Sequence, residues 1–343
     1  MKATRTFVIV LAFFAAVGWA ASARGQAKEI VEGAKKEGKV VFYTSLTLQE
    51  IEQVTFPFLK KYPFLKLDPF RGNSEQLLQK IAIEARAGRP QHDVALFDAF
   101  EEWQLQKLGL LQPYKSPEAK NFPDAYKDPE GYWTAVYLNY IVLGYNPKMV
   151  KETDLPKKWD DLLQPQWKGA KFAMDRDEGV WYGGLSFYWG KERAEKFMKA
   201  LAAQDPSMRK GHTLIATLLS TGEFPLGLVY AHRMEEMKSK GVGIDWTPLD
   251  PIVVTPNLAM MGKSTAHPNA AKLLIDFLLS LEGQTILQKQ QFRTAANPDL
   301  PPMSPKMDPK QLKLFVADKR VADQHEKFAK DFYDLFVRGK PES

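Results

Sequence analysis

Hydroxyl, phenol and imidazole side chains follow two strongly apolar segments of this sequence, 39–44 and 225–230. Tyr43, Thr44 and Ser45 end the first segment, and Tyr230 and His232 end or follow the second. A continuous apolar run is typical of a buried parallel strand, and ligands bind at the carboxyl ends of such strands in open α/β sheets. These residues therefore predict two walls of a small-molecule site.

A further set of polar residues is predicted at strand ends or helix starts. This set consists of Asn73, Ser74, Asp98, Arg176, Arg209, His212 and Thr213. Helix N-termini bind anions through unpaired N–H groups, and arginine binds carboxylates and phosphates through two parallel hydrogen bonds. Because arginine, histidine and hydroxyl groups outnumber acids at these positions, we expect the ligand to be a small organic or inorganic anion.

The same residue types also have purely structural interpretations. Thr44 and Ser45 are typical of a local turn, whereas Asn73 or Ser74 would cap the next helix and Asp98 another. Thr213 would cap the helix that follows Arg209. Single arginines are most often surface residues. The sequence does not decide between these interpretations and the binding site.

Aromatic residues offer stacking surfaces for an organic ligand, and Tyr137 is the candidate we include in the site. Tyr140, Trp181 and Tyr182 are further possibilities, but aromatic residues in such runs are usually part of the core.

Common catalytic signatures are missing from the sequence. The five histidines show no metalloprotease spacing, and there is neither a P-loop nor a dinucleotide-binding fingerprint. The motif around Ser186 lacks the second glycine of a nucleophile elbow. The chain contains no cysteine, so it has no thiolate ligand for a metal. We therefore predict a binding protein rather than an enzyme, with no cofactor and no favoured metal. A secreted hydrolase that uses scattered carboxylates is an alternative.

Apolar periodicity predicts an α/β fold with two lobes. Strands near 39–44, 64–70 and 93–97 alternate with helices, which is typical of a parallel sheet with right-handed crossovers. The chain is expected to cross between the lobes near 134–140 and again near 246–256. Two crossings form a hinge, and a cleft between lobes is a common place for a small-molecule site.

The two crossings define the predicted domain boundaries. We expect a first lobe of residues 28–135 plus 248–300, a second lobe of 136–247, and a C-terminal helical segment, 301–343, with helices near 308–315 and 319–338.

The first 27 residues have the pattern of a cleaved signal peptide. Lys2 and Arg5 precede an apolar run from Phe7 to Trp19, which is too short to span a bilayer, and small residues follow. Cleavage would remove three basic residues and lower the formal net charge from +6 to +3. We expect an unanchored protein of the bacterial periplasm, monomeric and without affinity for nucleic acid.

A series of short motifs, in order along almost the whole mature chain, resembles the periplasmic solute-binding proteins of ABC importers, in particular the branch that includes the ferric-iron binders. The motifs are Val41-Phe-Tyr43-Thr-Ser45, Gly72-Asn-Ser-Glu-Gln-Leu77, Asp93-Val-Ala-Leu-Phe97, Asp128-Pro-Glu-Gly-Tyr-Trp133, Gly144-Tyr-Asn146, Trp159-Asp-Asp-Leu162, Trp167-Lys-Gly169, Gly222-Glu-Phe224 and Pro268-Asn-Ala-Ala-Lys-Leu-Leu-Ile-Asp-Phe277. The resemblance implies a type II binding-protein fold whose two lobes close around a solute, with an inner-membrane ABC permease as partner.

One departure from the iron-binding branch bears on the ligand. Those proteins carry two adjacent tyrosines after the strand that here ends at Tyr230, whereas this chain continues Ala231-His232-Arg233. A single phenolate and an imidazole form a poorer ligand set for a hard trivalent cation. Ferric iron is therefore an alternative ligand, which Tyr230, His232 and Tyr43 would hold.

Overall fold

The computed structural model describes residues 28–338, so the predicted signal segment lies outside the described residues. The first part of the chain alternates helices and strands. Its elements are α1 (28–37), β1 (Lys39–Thr44), α2 (Leu48–Lys61), β2 (Lys66–Arg71), α3 (Ser74–Arg86), β3 (Val94–Asp98), α4 (Ala99–Lys107) and β4 (Leu111–Gln112). β1 lies between β2 and β3 and runs parallel to both, as the sequence predicts for the first lobe.

The second lobe is built around another group of parallel strands. Its elements are β5 (Trp133–Tyr145), β6 (Phe172–Asp175), α5 (Gly179–Trp189), α6 (Lys191–Ala202), β7 (Ser207–Arg209), α7 (His212–Thr221), β8 (Leu226–Tyr230), α8 (Ala231–Ser239) and β9 (Asp245–Thr247). β6 pairs in parallel with β7 on one side and with β8 on the other. The helix expected at Trp159–Leu163 is a 3-10 helix.

The chain then returns to the first lobe and ends against the second. The remaining elements are β10 (Ile252–Gly262), α9 (Pro268–Leu279), α10 (Leu281–Gln291), β11 (Thr294–Ala295), β12 (Leu314–Val316), α11 (Lys319–Ala322) and α12 (His325–Phe336).

Two long antiparallel strands, β5 and β10, join the lobes. The main path through the sheet is β2-β1-β3-β10-β5-β8-β6-β7, so these two strands lie at its centre. β10 pairs with β3 of the first lobe through residues 257–261, and β5 pairs with β8 of the second through residues 141–145. The pairing between β5 and β10 shifts register after Asn257. Two strands therefore cross between the lobes, as the sequence predicts, while the boundaries given above stay predictions.

Helix starts in the first lobe are fixed by side-chain caps. Thr47 accepts a hydrogen bond from the Glu50 N–H, and the Glu50 carboxylate accepts one from the Thr47 N–H at 2.8 Å. Asn73 and Gln76 form the same reciprocal pair at the start of α3. These capping boxes satisfy N–H groups that have no partner within the helix.

Two predictions about local structure are wrong. Residues 308–315 do not form a helix, because Leu314 to Val316 form β12, which pairs in parallel with β10. Its apolar residues bury themselves by extending the sheet rather than by forming a helical face. Thr213 does not cap α7, because the helix begins one residue earlier and its N-cap is Gly211, whose φ of 98° favours glycine.

The last helix completes the core of the second lobe. Phe328, Phe332 and Phe336 of α12 are buried in the same apolar cluster as Trp181 of α5. The C-terminal segment is thus packed onto the second lobe and includes a strand as well as helices. Within residues 28–338, no helix is both long and apolar enough to cross a bilayer.

Candidate functional site

Polar residues from both lobes meet where the parallel strands end. Asp98 ends β3 of the first lobe, whereas Glu178 follows β6 and Tyr230 ends β8 of the second. Burial and the nearby carboxylates of Glu178, Asp98 and Asp175 together raise the pKa of Tyr230 well above its usual value. The side chains that surround Tyr230 therefore come from both lobes, and this cleft is the candidate site.

Three rings line the second-lobe side of the cleft. The centroids of His212 and Tyr230 are 3.9 Å apart, and those of Tyr230 and His232 are 5.6 Å apart, with planes only 18° from parallel. His212 Nδ1 lies 3.2 Å from the Leu228 carbonyl oxygen, and its Nε2 lies 3.3 Å from the Glu178 carboxylate. The second-lobe wall thus has flat ring faces beside a buried acid.

A chain of hydrogen bonds reaches His232 from the first lobe. Arg293 follows α10, and its Nη1 lies 3.1 Å from His232 Nε2. The other side of the guanidinium binds Glu50 of α2, with Nε and Nη2 at 3.0 and 2.8 Å from the same carboxylate oxygen. The guanidinium also lies 4.7 Å from the Tyr137 ring centroid. Glu50 and Tyr137 therefore hold Arg293 against the second lobe.

Tyr137 lies on β5, one of the two strands that cross between the lobes. It is buried, and its hydroxyl donates a 2.9 Å hydrogen bond to Asn257 Oδ1 on β10. Ser45 is within hydrogen-bonding reach of the same phenol. Tyr137 and Ser45 thus form part of the floor between the crossing strands.

Acidic groups dominate the charge in the cleft. Burial raises the pKa of Asp98 to about 7, and burial together with Asp98 raises the pKa of Glu101 to about 8. Burial, helped by Asp175 and Asp177, also raises the pKa of Glu178. Buried acids therefore lie in the cleft beside the predicted arginine and histidine groups, and the small anionic ligand stays a prediction.

Two residues of the first predicted wall have hydrogen-bond partners within the chain. The Tyr43 hydroxyl donates to Glu84 at 2.8 Å, and its ring packs against Phe70 and His92. The Tyr43 hydroxyl is thus engaged by Glu84, and a ligand contact of Tyr43 stays a prediction. Thr44 is fully buried, and its hydroxyl accepts from the Leu46 N–H, which is the local-turn interpretation.

The predicted helix-start residues of the first lobe act as caps. Asn73 accepts a 2.8 Å hydrogen bond from the Gln76 N–H. Ser74 Oγ accepts from the Asp98 N–H at 3.4 Å, and Asp98 itself caps α4 through the Phe100 N–H. Asp98 therefore combines the capping role with a place in the cleft.

The second-lobe candidates are divided between the cleft and other surroundings. Arg209 pairs with Glu223 at 2.9 Å and lies over the Phe224 ring, which replaces the expected ligand contact with an internal one. The Arg176 N–H donates to the Arg209 carbonyl oxygen next to β6 and β7. Thr213 is exposed on the first turn of α7. His212, Tyr230 and His232 are the predicted residues that the structure groups together.

Core packing accounts for the remaining aromatic candidates. Trp181 packs edge-on against Trp159, Tyr182 against Phe328, and Tyr140 is buried. Sequence reasoning missed Glu50, Glu178 and Arg293, whose roles depend on partners far away in the chain. For Glu178, the sequence signal was the polar pair Asp177-Glu178 directly after the β6 strand.

A groove of about 830 Å³ lies between the lobes beside this cleft. It is lined by the start of α2, by Arg71 at the end of β2, and by Arg233 and Lys240 of α8. Arg233 and Lys240 both pair with Glu236. Arg71 forms no ion pair with any residue that the structure describes. The groove therefore offers a cationic side chain for an anionic group.

The arrangement of metal-ligating side chains bears on the iron alternative. Among residues 28–338, no three His, Asp or Glu side chains are grouped to hold one ion. Tyr230, a tyrosine of the expected iron set, is half-buried, and burial together with nearby acids raises the pKa of its phenol.

A family model described as "Bacterial extracellular solute-binding protein" matches residues 91–316. This chain belongs to the bacterial extracellular solute-binding protein family. It is a periplasmic-type solute-binding protein of an ABC importer, and proteins of this kind are periplasmic and work with permease and ATPase subunits.

Known relatives of this solute-binding protein extend over most of its length. An uncharacterized protein of Haemophilus influenzae is 27% identical over 302 residues, which cover 83% of this chain and 86% of that protein. The structure of AfuA from Actinobacillus pleuropneumoniae with exogenous fructose 6-phosphate bound superposes with a TM-score of 0.76 at 24% identity, covering 88% of this chain and 99% of AfuA. Iron-bound HitA from Pseudomonas aeruginosa superposes with a TM-score of 0.73 at 23% identity, covering 86% of this chain and 99% of HitA. These likenesses confirm the type II two-lobed fold.

Proposed function

We propose that this solute-binding protein captures a small, hydroxyl-rich organic solute that also carries an anionic group, with a phosphorylated sugar as the best chemical match. The observation that carries the proposal is the meeting of the Asp98 and Glu178 carboxyls beside Tyr230. Carboxylates accept hydrogen bonds from hydroxyl groups, so a solute with several hydroxyls would supply donors to these buried acids.

The anionic part of the solute would occupy the groove beside the cleft. Arg71 is available there, and the first turn of α2 contributes a positive dipole end. This arrangement keeps the predicted anion but assigns it to one end of the ligand. The fructose 6-phosphate bound to AfuA, which has a similar fold, is a molecule of this kind.

Ferric iron is the second candidate, because iron-bound HitA has a similar fold. An iron site in this chain would depend on the Tyr230 oxygen as a phenolate. Such a complex would be coloured, since phenolate bound to ferric iron absorbs visible light.

A thermal-shift and calorimetric panel tests both candidates on the purified mature protein. The panel contains fructose 6-phosphate, fructose, inorganic phosphate, ferric citrate and spermidine. We expect fructose 6-phosphate to raise the melting temperature most, because a ligand that binds the folded state stabilises it by about 2.7 kcal/mol at a hundredfold excess over Kd. Asp98→Asn and Glu178→Gln should each weaken this effect. A response to ferric citrate alone, with colour, would establish the iron candidate, and a response to spermidine alone would exclude an anionic solute.

We further propose that the mature chain is periplasmic, monomeric and non-enzymatic, and that it delivers its solute to an inner-membrane permease. The support is the signal-like segment 1–27 and the family membership. N-terminal sequencing of protein from a periplasmic extract should find a start near residue 28, and light scattering should give the mass of one chain.

A further inference from the structure

His232 has different partners at its two ring nitrogens. Nε2 lies 3.1 Å from Arg293 Nη1. A guanidinium has only hydrogens to offer, so the imidazole nitrogen that faces it must supply a lone pair. The pKa of His232 is lowered well below its usual value by burial, then by Arg293 and Arg233. His232 is therefore a neutral ring with its hydrogen on Nδ1.

That hydrogen has no acceptor in the described part of the chain. His232 is 2% exposed, and Nδ1 is buried without a hydrogen-bond partner within residues 28–338. The two nitrogens of an imidazole point in divergent directions, so Nδ1 faces away from Arg293. Leaving a buried donor unpaired is unfavourable by about 1–3 kcal/mol. An unpaired buried donor of this kind is therefore a candidate for a hydrogen bond to a bound ligand.

The surroundings of His232 identify where that partner would come from. Its ring lies nearly parallel to that of Tyr230, which is also in ring contact with His212, and Tyr230 lies where charged residues of both lobes meet. We propose that His232 Nδ1 donates a hydrogen bond to an acceptor oxygen of the bound solute and that Arg293 is the positioning residue that fixes this tautomer. The proposal rests on the proposed function in one respect, namely that the solute occupies this cleft.

Arg293 is itself held in one orientation. Nε and Nη2 bind the Glu50 carboxylate at 3.0 and 2.8 Å, and the guanidinium plane lies near the Tyr137 ring. Because Nε and Nη2 are bound to Glu50, Nη1 is the part of the guanidinium that is directed at His232. Glu50, on α2, thereby controls the ring tautomer through Arg293 without contacting His232.

The tautomer can be measured without any ligand. Long-range proton–nitrogen spectra of protein labelled with nitrogen-15 histidine distinguish a bare ring nitrogen from a protonated one, and His232→Gln identifies the signals of this residue among the five histidines. We expect a bare Nε2 and a protonated Nδ1. Arg293→Met should shift the population toward the Nε2–H form, whereas Arg293→Lys keeps a donor and should preserve the Nδ1–H form. A protonated Nε2 in the wild-type protein would overturn the proposal.

Binding measurements test the hydrogen bond to the solute, with fructose 6-phosphate as the probe. The Asn side chain can place an amide N–H near the position of Nδ1, whereas Gln reaches only the position of Nε2. His232→Asn should therefore stay within about threefold of the wild-type Kd, while His232→Gln and Arg293→Met should each weaken binding by about tenfold. Equal losses of affinity in His232→Asn and His232→Gln would contradict the hydrogen bond from Nδ1 to the solute. If the wild-type protein does not bind the probe, the proposed sugar-phosphate class fails, and the tautomer measurement still decides the role of Arg293.

Discussion

The ring centroids of His212 and Tyr230 lie 3.9 Å apart, at the point where α7 begins and β8 ends. Tyr230 also stacks with His232, at 5.6 Å between ring centroids. Its pKa is raised by burial and by acids, so the hydroxyl keeps its hydrogen. Tyr230 therefore presents a ring face and a neutral hydroxyl, rather than an oxygen anion, to a bound molecule.

Replacing Tyr230 separates the organic-solute and iron hypotheses. Tyr230→Phe keeps the ring and removes only the hydroxyl, so the affinity for fructose 6-phosphate should fall by no more than about tenfold. Tyr230→Leu also removes the stack and should weaken binding further. Calorimetry measures both. Complete loss of ferric citrate binding and of colour in Tyr230→Phe, together with no response to the sugar phosphate in the wild type, would favour iron.

Neutralising Asp98 should stabilise the solute-free protein. Because the folded-state pKa of Asp98 is about 7 and its ordinary value is 3.8, the folded protein binds more protons than the unfolded chain between these values. Stability is therefore lost as pH rises through this window. Asn caps a helix as well as Asp does, so Asp98→Asn should raise the free energy of unfolding near neutral pH by roughly 2–4 kcal/mol.

Urea unfolding near pH 5 and near pH 8 measures this effect, and the gain should be larger at the higher pH. Asp160→Asn is the matched control, because Asp160 is a partly exposed acid paired with Arg193. Its effect should stay within about 0.5 kcal/mol. An equal change in both variants would show that the buried carboxyl is not the cause.

His92 should make the protein sensitive to acid. It is buried, neither ring nitrogen has a hydrogen-bond partner among the described residues, and burial lowers its pKa to about 4. Between pH 6.5 and 4 the unfolded chain takes up a proton that the folded protein does not, so about 3 kcal/mol of stability is lost as pH falls through this range. His92→Leu should remove this dependence, and the difference between the two urea-unfolding profiles measures it. Parallel profiles would contradict the prediction.

One face of α12 should matter far more than the other. Phe332 is buried and stacks on Phe336 at 4.5 Å, whereas the adjacent Tyr333 is 53% exposed. Phe332→Ala should lower the free energy of unfolding by about 3–5 kcal/mol through lost burial and a cavity. Tyr333→Ala, in the same helix, should change it by less than about 1 kcal/mol. Chemical denaturation of both variants compares them directly.

The sequence predicts strands and caps well where the signal is local. The apolar runs before Ser45, Asp98 and Tyr230 mark strand ends correctly, and Asn73 caps α3 as its position before a helical pattern indicates. Each of these features depends on neighbours within a few residues. Local patterns of this kind are what sequence reasoning can interpret.

Long-range partners explain what the sequence does not predict. Arg293 contacts His232 across 61 positions of the chain, and no local sequence pattern around either residue indicates the other. Tyr43 lies on a correctly predicted strand, but its hydroxyl donates to Glu84 of α3, 41 positions further along the chain. The segment Leu314–Val316 forms a strand beside residues 252–254 of β10, which lie before the part of β10 that pairs with β3. The direction of a side chain and the partner of an edge are tertiary properties.

The position of α12 sets the order in which the chain can mature. The second lobe begins at β5, yet its apolar cluster includes Phe328, Phe332 and Phe336 from the end of the chain. A ribosome must release nearly the whole polypeptide before this cluster can close. Export machinery that threads unfolded chains would therefore meet a polypeptide whose second lobe has not yet formed its complete core. A product that terminates before residue 328 would expose apolar surface to proteases.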